Sequence, residues 1–377
     1  MCHTWDILND EDEASVMLPK LALWVTFLSV PGVGLITANR LFSMISDWDI
    51  ARTFSLSDWQ SCHVSFSIAE KIREQFERES AIALMEKMDR QGVHFMMIED
   101  HDYPSLLRQI HLPPIALFYL GARPVFDIGV AVVGTRKATS YGKKVAYDLA
   151  GYLSSHTVAV ISGLAYGIDA AAHQGTVSQR GYTIAVLGSG VNHIYPEGNL
   201  NLSRAILDNG GTILSEFLPD TLPHKAFFPM RNRLISGMSN AVVVVEAGLK
   251  SGALITAAYA VNDNRDVYAV PGSIFSSVSQ GTHELILDGA IPLYEFSQLL
   301  NNLGKTEVKE TLGSAIVKRE ASIETRICSE LTTGVKSLQD LHTILGKISM
   351  AELGSLIGEM ELEGKVSRLH DGRYSLI

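Results

Sequence analysis

The chain has 377 residues, 46% of them hydrophobic and 19% charged, enough apolar material for a large core, which excludes disorder as its dominant state. Its 31 Lys+Arg against 41 Asp+Glu give a formal charge of -10. That balance excludes coating nucleic acid or anionic membrane by bulk charge and leaves room for a local basic site. Cys2, Cys62 and Cys328 lie far apart, without a CxxC or Cys/His ligand spacing. Neither a disulfide framework nor a zinc site is indicated, and a reducing compartment is expected.

The N-terminus is acidic, with Asp6, Asp10, Glu11, Asp12 and Glu13, and the first apolar run, 21–30, is too short to span a bilayer. A cytoplasmic protein with no membrane partner is expected. Residues 1–125 read as an N-terminal helical domain with a connector. Within them the stretch 68–90 mixes charges with apolar residues at three- and four-residue spacing. The connector is Pro-rich at Pro113 and Pro114 and closes on the run 117–120 and Gly121.

From 126 to 300 the pattern changes to short unbroken apolar runs separated by glycine-bearing turns, which is how buried parallel strands read. The expected strands are 128–133, 158–161, 182–187, 212–214, 241–245 and 267–270, and the expected helices between them 141–153, 168–178, 200–208, 232–237 and 254–261. Alternation of this kind implies an α/β, doubly wound sheet with right-handed crossovers, whose ligands sit at the carboxyl ends of the strands. Polar residues 301–321 read as a linker. Residues 322–377 offer three candidate helices, 323–331, 337–345 and 350–361, then an Asp371-Gly372 hairpin signal, which together suggest a winged helix.

The turns after the expected strands carry the chemistry. After 128–133 come Gly134, Thr135, Arg136, Lys137, Thr139 and Ser140 at a helix start. This reads as a phosphate cradle with Arg136 as a bidentate clamp, or as a capped turn with Arg136 in solvent. Ser162 and Gly163 open a second small-residue turn, followed by Asp169 and His173, which lie four apart and could pair. His173 reads as packed rather than catalytic, since no nucleophile is tied to it. The third strand ends in Gly188-Ser189-Gly190, but Pro196 falls where a dinucleotide-binding helix should be running, so no NAD cofactor is expected.

The segment 223–237 crowds Lys225, Phe227, Phe228, Arg231, Asn232 and Arg233 between prolines and a helix. Cations suit phosphates, rings stack on bases and an amide can read a base edge, the chemistry of single-strand recognition. The same residues also fit a core in which the arginines pair with acids. Glu246 follows the strand 241–245 and either orients Arg231 or Arg233 or ends the strand. Lys250, Ser251, Gly252 and Thr256 make a further helix start. Residues 128–300 hold 11 Lys+Arg against 12 Asp+Glu, so the acidic excess belongs to the flanks.

Read in series, these segments resemble the DprA/Smf family of DNA-processing proteins. The matching elements are Gly134-Thr135-Arg136 with Tyr141-Gly142, the run 162–169 with Ala172-His173, Tyr195-Pro196, Ser215-Glu216 and the run 228–237. They continue with 244–247, 251–257, Val270-Pro271-Gly272, Gly281-Thr282-His283, and Leu285-Ile286 with Gly289-Ala290. The resemblance implies an extended Rossmann-like domain that dimerises, binds single-stranded DNA without a cofactor, and loads RecA recombinase during natural transformation. It implies that Arg136 holds a phosphate, Lys225 contacts the strand, Phe228 helps enclose a base, and Arg231 with Asn232 completes the pocket. Gly134, Thr135, Ser140, Ser162 and Gly163 join the expected DNA-binding set, as do Arg233, Ser251, Gly252 and Thr256. Tyr166 and His283 depart from the family's usual basic residue and Asn, and neither is assigned a contact.

In the flanks, residues 28–38, with Pro31, Gly32 and Gly34, resemble a helix-hairpin-helix turn, and read equally as a plain helical hairpin. The candidate recognition helix of the tail carries Glu352, Glu359 and Glu361 and no Lys or Arg. It would repel a major groove, and a partner-binding or autoinhibitory role is expected instead. The leading expectation is a non-enzymatic strand binder. The alternative is a nucleotide-processing enzyme, a nucleoside monophosphate hydrolase, with Glu216 and Glu246 as its candidate acids.

Overall fold

In the computed structural model, which describes residues 11–45, 47–75, 86–305, 327–328, 330–331, 334–345, 348–362, 365–369 and 372–376, the chain divides into two units, 1–307 and 308–377. The first begins with α1 (Glu11–Ser29), α2 (Leu35–Met44), α3 (Trp48–Thr53), α4 (Leu56–Ser61) and α5 (Phe66–Gln75). Asp47 caps α3, and Ser55 with Asp58 forms a capping box at α4, so these short helices have their first amides satisfied. Large apolar side chains hold them together. Trp24, Phe27, Leu41, Trp59 and Ile72 are buried, with Phe27 edge-on to Trp59 at 5.9 Å between ring centres. Helices α1 and α2 meet through a tight turn in which Gly32 adopts φ +99° and the Val33 amide donates to the Val30 carbonyl at 3.0 Å.

The segment 1–125, expected as a helical domain with a connector, also supplies two strands, β1 (His94–Met97) and β2 (Ala116–Gly121), with the single turn α6 (Ser105–Arg108) between them. Their apolar runs are too short for periodicity to separate strand from buried helix. The decision comes from the sheet: β2 pairs antiparallel with β6 (Thr212–Ser215) and β1 with β2, extending one edge. Phe118 is buried there in the core that also holds Trp24 and Trp59.

The remaining elements alternate as the patterning requires. They are β3 (Gly129–Val133), α7 (Ser140–Ser155), β4 (Ala159–Ser162), α8 (Ile168–Ser178), β5 (Thr183–Val186), α9 (Leu200–Asp208) and β6. After these come α10 (Phe227–Gly237), β7 (Ala241–Val244), α11 (Gly252–Asn262), β8 (Asp266–Ala269), α12 (Gln280–Leu287), β9 (Ile291–Pro292) and α13 (Phe296–Asn302). The sheet order is β1-β2-β6-β5-β4-β3-β7-β8-β9, and every pair from β6 to β9 is parallel. The strands β3 to β7 are buried throughout, which their unbroken apolar runs demand.

Helix α10 starts at Phe227 rather than the expected 232. Pro229 is tolerated because the amides of a first turn have no intrahelical acceptor to lose. The expected linker also begins late. Helix α13 runs to Asn302, and Lys305 Nζ donates to the carbonyls of His156 and Thr157 at 3.0 and 3.1 Å. Its residues 306–321 lie outside the described residues.

In the second unit α14 (Leu338–Leu345) and α15 (Met350–Leu362) precede an antiparallel pair, β10 (Val366–Arg368) and β11 (Tyr374–Leu376). Leu341, Leu353, Ile357 and Val366 form its core. Of the expected helix 323–331 only part is described, with Ile327 and Leu331 buried, and Asp371 of the hairpin signal lies outside the described residues. No described helix is long and apolar enough to cross a membrane.

A close helix contact places the α7 backbone against Gly175 of α8, where a Cβ would stand 2.1 Å from the Tyr147 carbonyl oxygen. Backbone on both sides cannot yield as a side chain would. Gly175→Ala is expected to lower stability by about 1–3 kcal/mol despite alanine's better helix propensity, read as a lower urea midpoint at unchanged slope.

Candidate nucleic-acid interface

Chain connections run outward from β3 in both directions, to β4, β5 and β6 on one side and to β7, β8 and β9 on the other. A crevice therefore opens past the carboxyl ends of β3 and β7, where a doubly wound sheet binds its ligands. The structure has an open cleft of about 1060 Å³ at this point. Gly134, Thr135 and Arg136 line it from the end of β3, Lys225, Phe228, Arg231 and Asn232 from the start of α10, and Ser251, Gly252 and Thr256 from the start of α11. Ten of the expected residues, scattered over more than a hundred positions of sequence, thus meet in one place.

The β3–α7 turn is pinned from β7. Thr139 caps α7, accepting from the Gly142 amide at 3.1 Å, while its own amide donates to a Glu246 carboxylate oxygen at 2.9 Å and its hydroxyl to the other. A Cβ on Gly142 would stand 2.3 Å from that carboxylate. Glu246, buried, thus occupies the place at the α7 N-terminus that the sequence left for a phosphate. The buried carboxylate at this turn thus belongs to the chain, and Gly134, Thr135 and Arg136 face the cleft beside it. Ser140 starts α7 outside the cleft lining.

Arg136 is released toward the cleft. Its guanidinium lies 5.4 Å from the centre of the Phe228 ring, a cation–π contact. Phe228 reaches the cleft and Phe227 does not, because successive helical residues point about 100° apart. Phe227 packs on Phe217 at 4.3 Å between ring centres, while Phe228 lies 5.4 Å from Tyr195. Arg136, Lys137, Lys225 and Lys250 all line the cleft, and none has an ion-pair partner among the described residues. Asp169 is the one acidic residue lining it, and its carboxylate accepts from the Gly163 and Ala165 amides at 3.1 and 3.3 Å. The local field is therefore positive although the chain is acidic.

Several residues of the expected set also hold the fold together. Arg231 is buried and donates to the Gly163 carbonyl at 2.8 Å and to the Val186 carbonyl, strapping the ends of β4 and β5 together. Burial lowers its pKa to about 10, opposed by Asp169, so it stays charged beneath the cleft. A Cβ on Gly163 would stand 2.6 Å from that guanidinium, which explains this glycine by packing. Asn232 accepts from Arg231 Nε at 3.2 Å and donates to the Gly252 carbonyl at 3.2 Å, so both ends of its amide are engaged in joining α10 to α11. Ser162 is fully buried and donates to the Val132 carbonyl at 2.7 Å.

Arg233 is buried in an ion pair with Glu216 and lies outside the cleft lining. Burial pushes the Glu216 carboxyl up against the pull of this guanidinium. Glu246 orients neither arginine. Asp169 and His173 do not pair. His173 turns to Thr183, whose hydroxyl stands 2.8 Å from Nδ1 and itself donates to the Val160 carbonyl, leaving Nδ1 the donor to Thr183. Tyr195, absent from the expected set, lines the cleft. Its signal was present in Tyr195-Pro196 after the third strand. The loop after β5 reaches no helix before a short turn at Glu197–Asn199, so the dinucleotide arrangement does not form.

A family model described as DNA recombination-mediator protein A matches residues 94–304. The chain is 38% identical to Protein Smf of a Synechocystis strain over 291 residues, 75% of this chain and 72% of that one. It is 39% identical to DNA processing protein DprA of Bacillus subtilis over 223 residues, 59% of this chain and 75% of that one. The fold is similar to that of DNA processing protein A from Streptococcus pneumoniae, with a TM-score of 0.64 at 29% identity, covering 74% of this chain and 97% of the other. It is also similar to DNA processing protein A from Helicobacter pylori, whose structure describes a single-stranded DNA binding mode. There the TM-score is 0.51 at 29% identity, covering 56% of this chain and 96% of the other.

Burial lowers the His173 pKa from an ordinary 6.5 to about 3, with the Arg231 charge adding to the effect. Between those values the unfolded chain binds a proton that the folded chain does not, so stability present above pH 6.5 is lost as pH falls. Relative to His173→Asn, which does not titrate, the wild type is expected to lose about 1.4 kcal/mol per pH unit below about pH 6, measured by urea unfolding at pH 7, 6 and 5.

Proposed function

Because the chain belongs to the DNA recombination-mediator protein A family, the DprA/Smf proteins, we propose that its cleft holds single-stranded DNA and that it delivers this strand to RecA in recombination and natural transformation, acting as a binder rather than an enzyme. The observation that carries this reading is the set Arg136, Lys137, Lys225 and Lys250 around an accessible Phe228, at the switch point of a sheet in an acidic protein. Side-chain cations draw in phosphates, and the ring offers each base a sequence-tolerant face. The Helicobacter pylori relative, described for its single-stranded DNA binding mode, supports the same use of the fold.

The hydrolase alternative has less support. Glu246 is engaged at the α7 cap and Glu216 with Arg233. A second copy of the chain is the proposed oligomeric partner. Ile274, Phe275, Leu287 and Tyr294, all in the stretch that follows β8 in sequence, are each more than three-quarters exposed, apolar surface that a dimer would cover. The two helices and antiparallel pair of the second unit support a winged helix, with Glu352, Glu359 and Glu361 exposed on α15. These exposed carboxylates, with no Lys or Arg on the helix, suit a protein partner or an autoinhibitory contact better than DNA.

Fluorescence anisotropy with oligothymidylate across a salt series tests the site. Arg136→Ala and Lys225→Ala are each expected to weaken binding roughly five- to twenty-fold at low salt and to flatten the slope of log K against log salt by about 0.7, with matching loss of RecA filament assembly. Glutamine at Glu352, Glu359 and Glu361 leaves this titration unchanged. Unaltered affinity in both cation variants, or turnover of nucleoside monophosphates by the wild type, would defeat the assignment. Phe275→Glu is expected to halve the mass seen by sedimentation equilibrium, and an unchanged mass would remove this surface from the dimer.

A further inference from the structure

Beside Phe228 the cleft continues into a crevice of about 30 Å³ walled by Tyr166, Tyr195, Pro196 and Phe228, with Arg136 at the shared edge. Two features of it are unexplained by folding. Tyr166 and Tyr195 are 48% and 42% exposed, and neither hydroxyl has a hydrogen-bond partner among the described residues. Tyrosines that serve a core bury the ring and satisfy the hydroxyl. These two instead present ring surface to solvent next to a guanidinium that stands ready for a phosphate.

Their positions are fixed from below. Gly167, with φ +82°, brings its loop so close to the β3–α7 turn that a Cβ would stand 2.3 Å from the Thr135 carbonyl oxygen. That contact sets the neighbouring Tyr166 beside Arg136. The Tyr166 ring in turn lies against Gly198, where a Cβ would stand 2.6 Å from its hydroxyl oxygen and 3.1 Å from the ring. A ring held at its edge by backbone loses little freedom when something stacks on it.

Resting on the reading of the cleft as a single-strand site, we propose that Tyr166, with Tyr195 beside it, is a stacking platform for a second unpaired nucleobase, next to the one that meets Phe228. The crevice is too small to swallow a base, so the base lies across its rim. Arg136 holds the phosphate between the two bases. Recognition at this end of the cleft is by neutral stacking, whereas the Lys225 and Lys250 regions act by charge.

Tyr166 is the residue to vary, because Tyr195 also packs on Phe228. In the full chain, Tyr166→Ala is expected to weaken oligothymidylate binding about five- to ten-fold equally at every salt concentration, since stacking releases no counterions. Tyr166→Phe retains wild-type affinity, and Tyr166→Lys steepens the salt slope by about 0.7. Scanning one abasic residue along the oligonucleotide finds a position at which wild type and Tyr166→Ala bind equally, the coupling expected of a base in contact with that ring. Thermal unfolding of Tyr166→Ala within a degree or two of wild type excludes misfolding; a larger shift transfers the decision to the abasic scan of the wild type and Tyr166→Phe, where two neighbouring positions lose affinity in both and a single sensitive position overturns the platform. Tyr166→Ala binding like the wild type sinks this inference alone, and so does Tyr166→Phe losing as much as alanine. A wild type that binds no oligonucleotide sinks the underlying reading of the cleft.

Discussion

The carboxylate of Glu246 under the start of α7 is the contact on which the rest of the site depends. It joins the end of β7 to the turn after β3, the two strands on either side of the switch point, by accepting from both the amide and the hydroxyl of Thr139. A buried carboxylate would be costly alone. Here the helix dipole and two donors satisfy it, and the turn it pins gains a single conformation. Gly142 exists to leave room for it. With the turn held, Arg136 projects over Phe228 rather than wandering through solvent.

A division of labour among cations follows. Arg231 and Arg233 lie in a basic segment with no acid between Lys225 and Arg233, yet both are buried, one strapping β4 to β5 and the other balancing Glu216. Guanidinium groups suit such posts because their planar fork satisfies several acceptors while remaining charged. Arg136, Lys137, Lys225 and Lys250 stay in solvent around the cleft. The buried arginines supply rigidity and background potential, and the exposed cations supply contact. An acidic chain can in this way carry an electropositive notch without a basic surface elsewhere.

Several features were readable from residues alone, and others were not. The runs GVAVV and AVVV at 129–133 and 241–244 announced buried parallel strands because no polar residue interrupts them. Helix 168–178 was bounded as expected, by Gly167 and the polar residues after 178. Strands β1 and β2 were hidden because four to six apolar residues satisfy helix and strand equally, and only pairing with β6 chose between them. The spacing of Asp169 and His173 suggested a pair, but the carboxylate turned back to the Gly163 and Ala165 amides and the imidazole to Thr183. Two amides at the turn before a helix compete better for an anion than a histidine that burial keeps neutral.

By itself the sequence determined the alternating α/β order, the glycine turns after β3, β4 and β5 and the residue types of the cleft, because these are local consequences of periodicity and backbone freedom. It also carried the family's motifs in order. Only the tertiary structure decided which arginine faces a ligand, that Glu246 rather than a phosphate fills the α7 start, and that Tyr166 stands beside Arg136. Those outcomes depend on competition for partners between groups distant in the chain, and a one-dimensional pattern holds no information on which donor reaches which acceptor first.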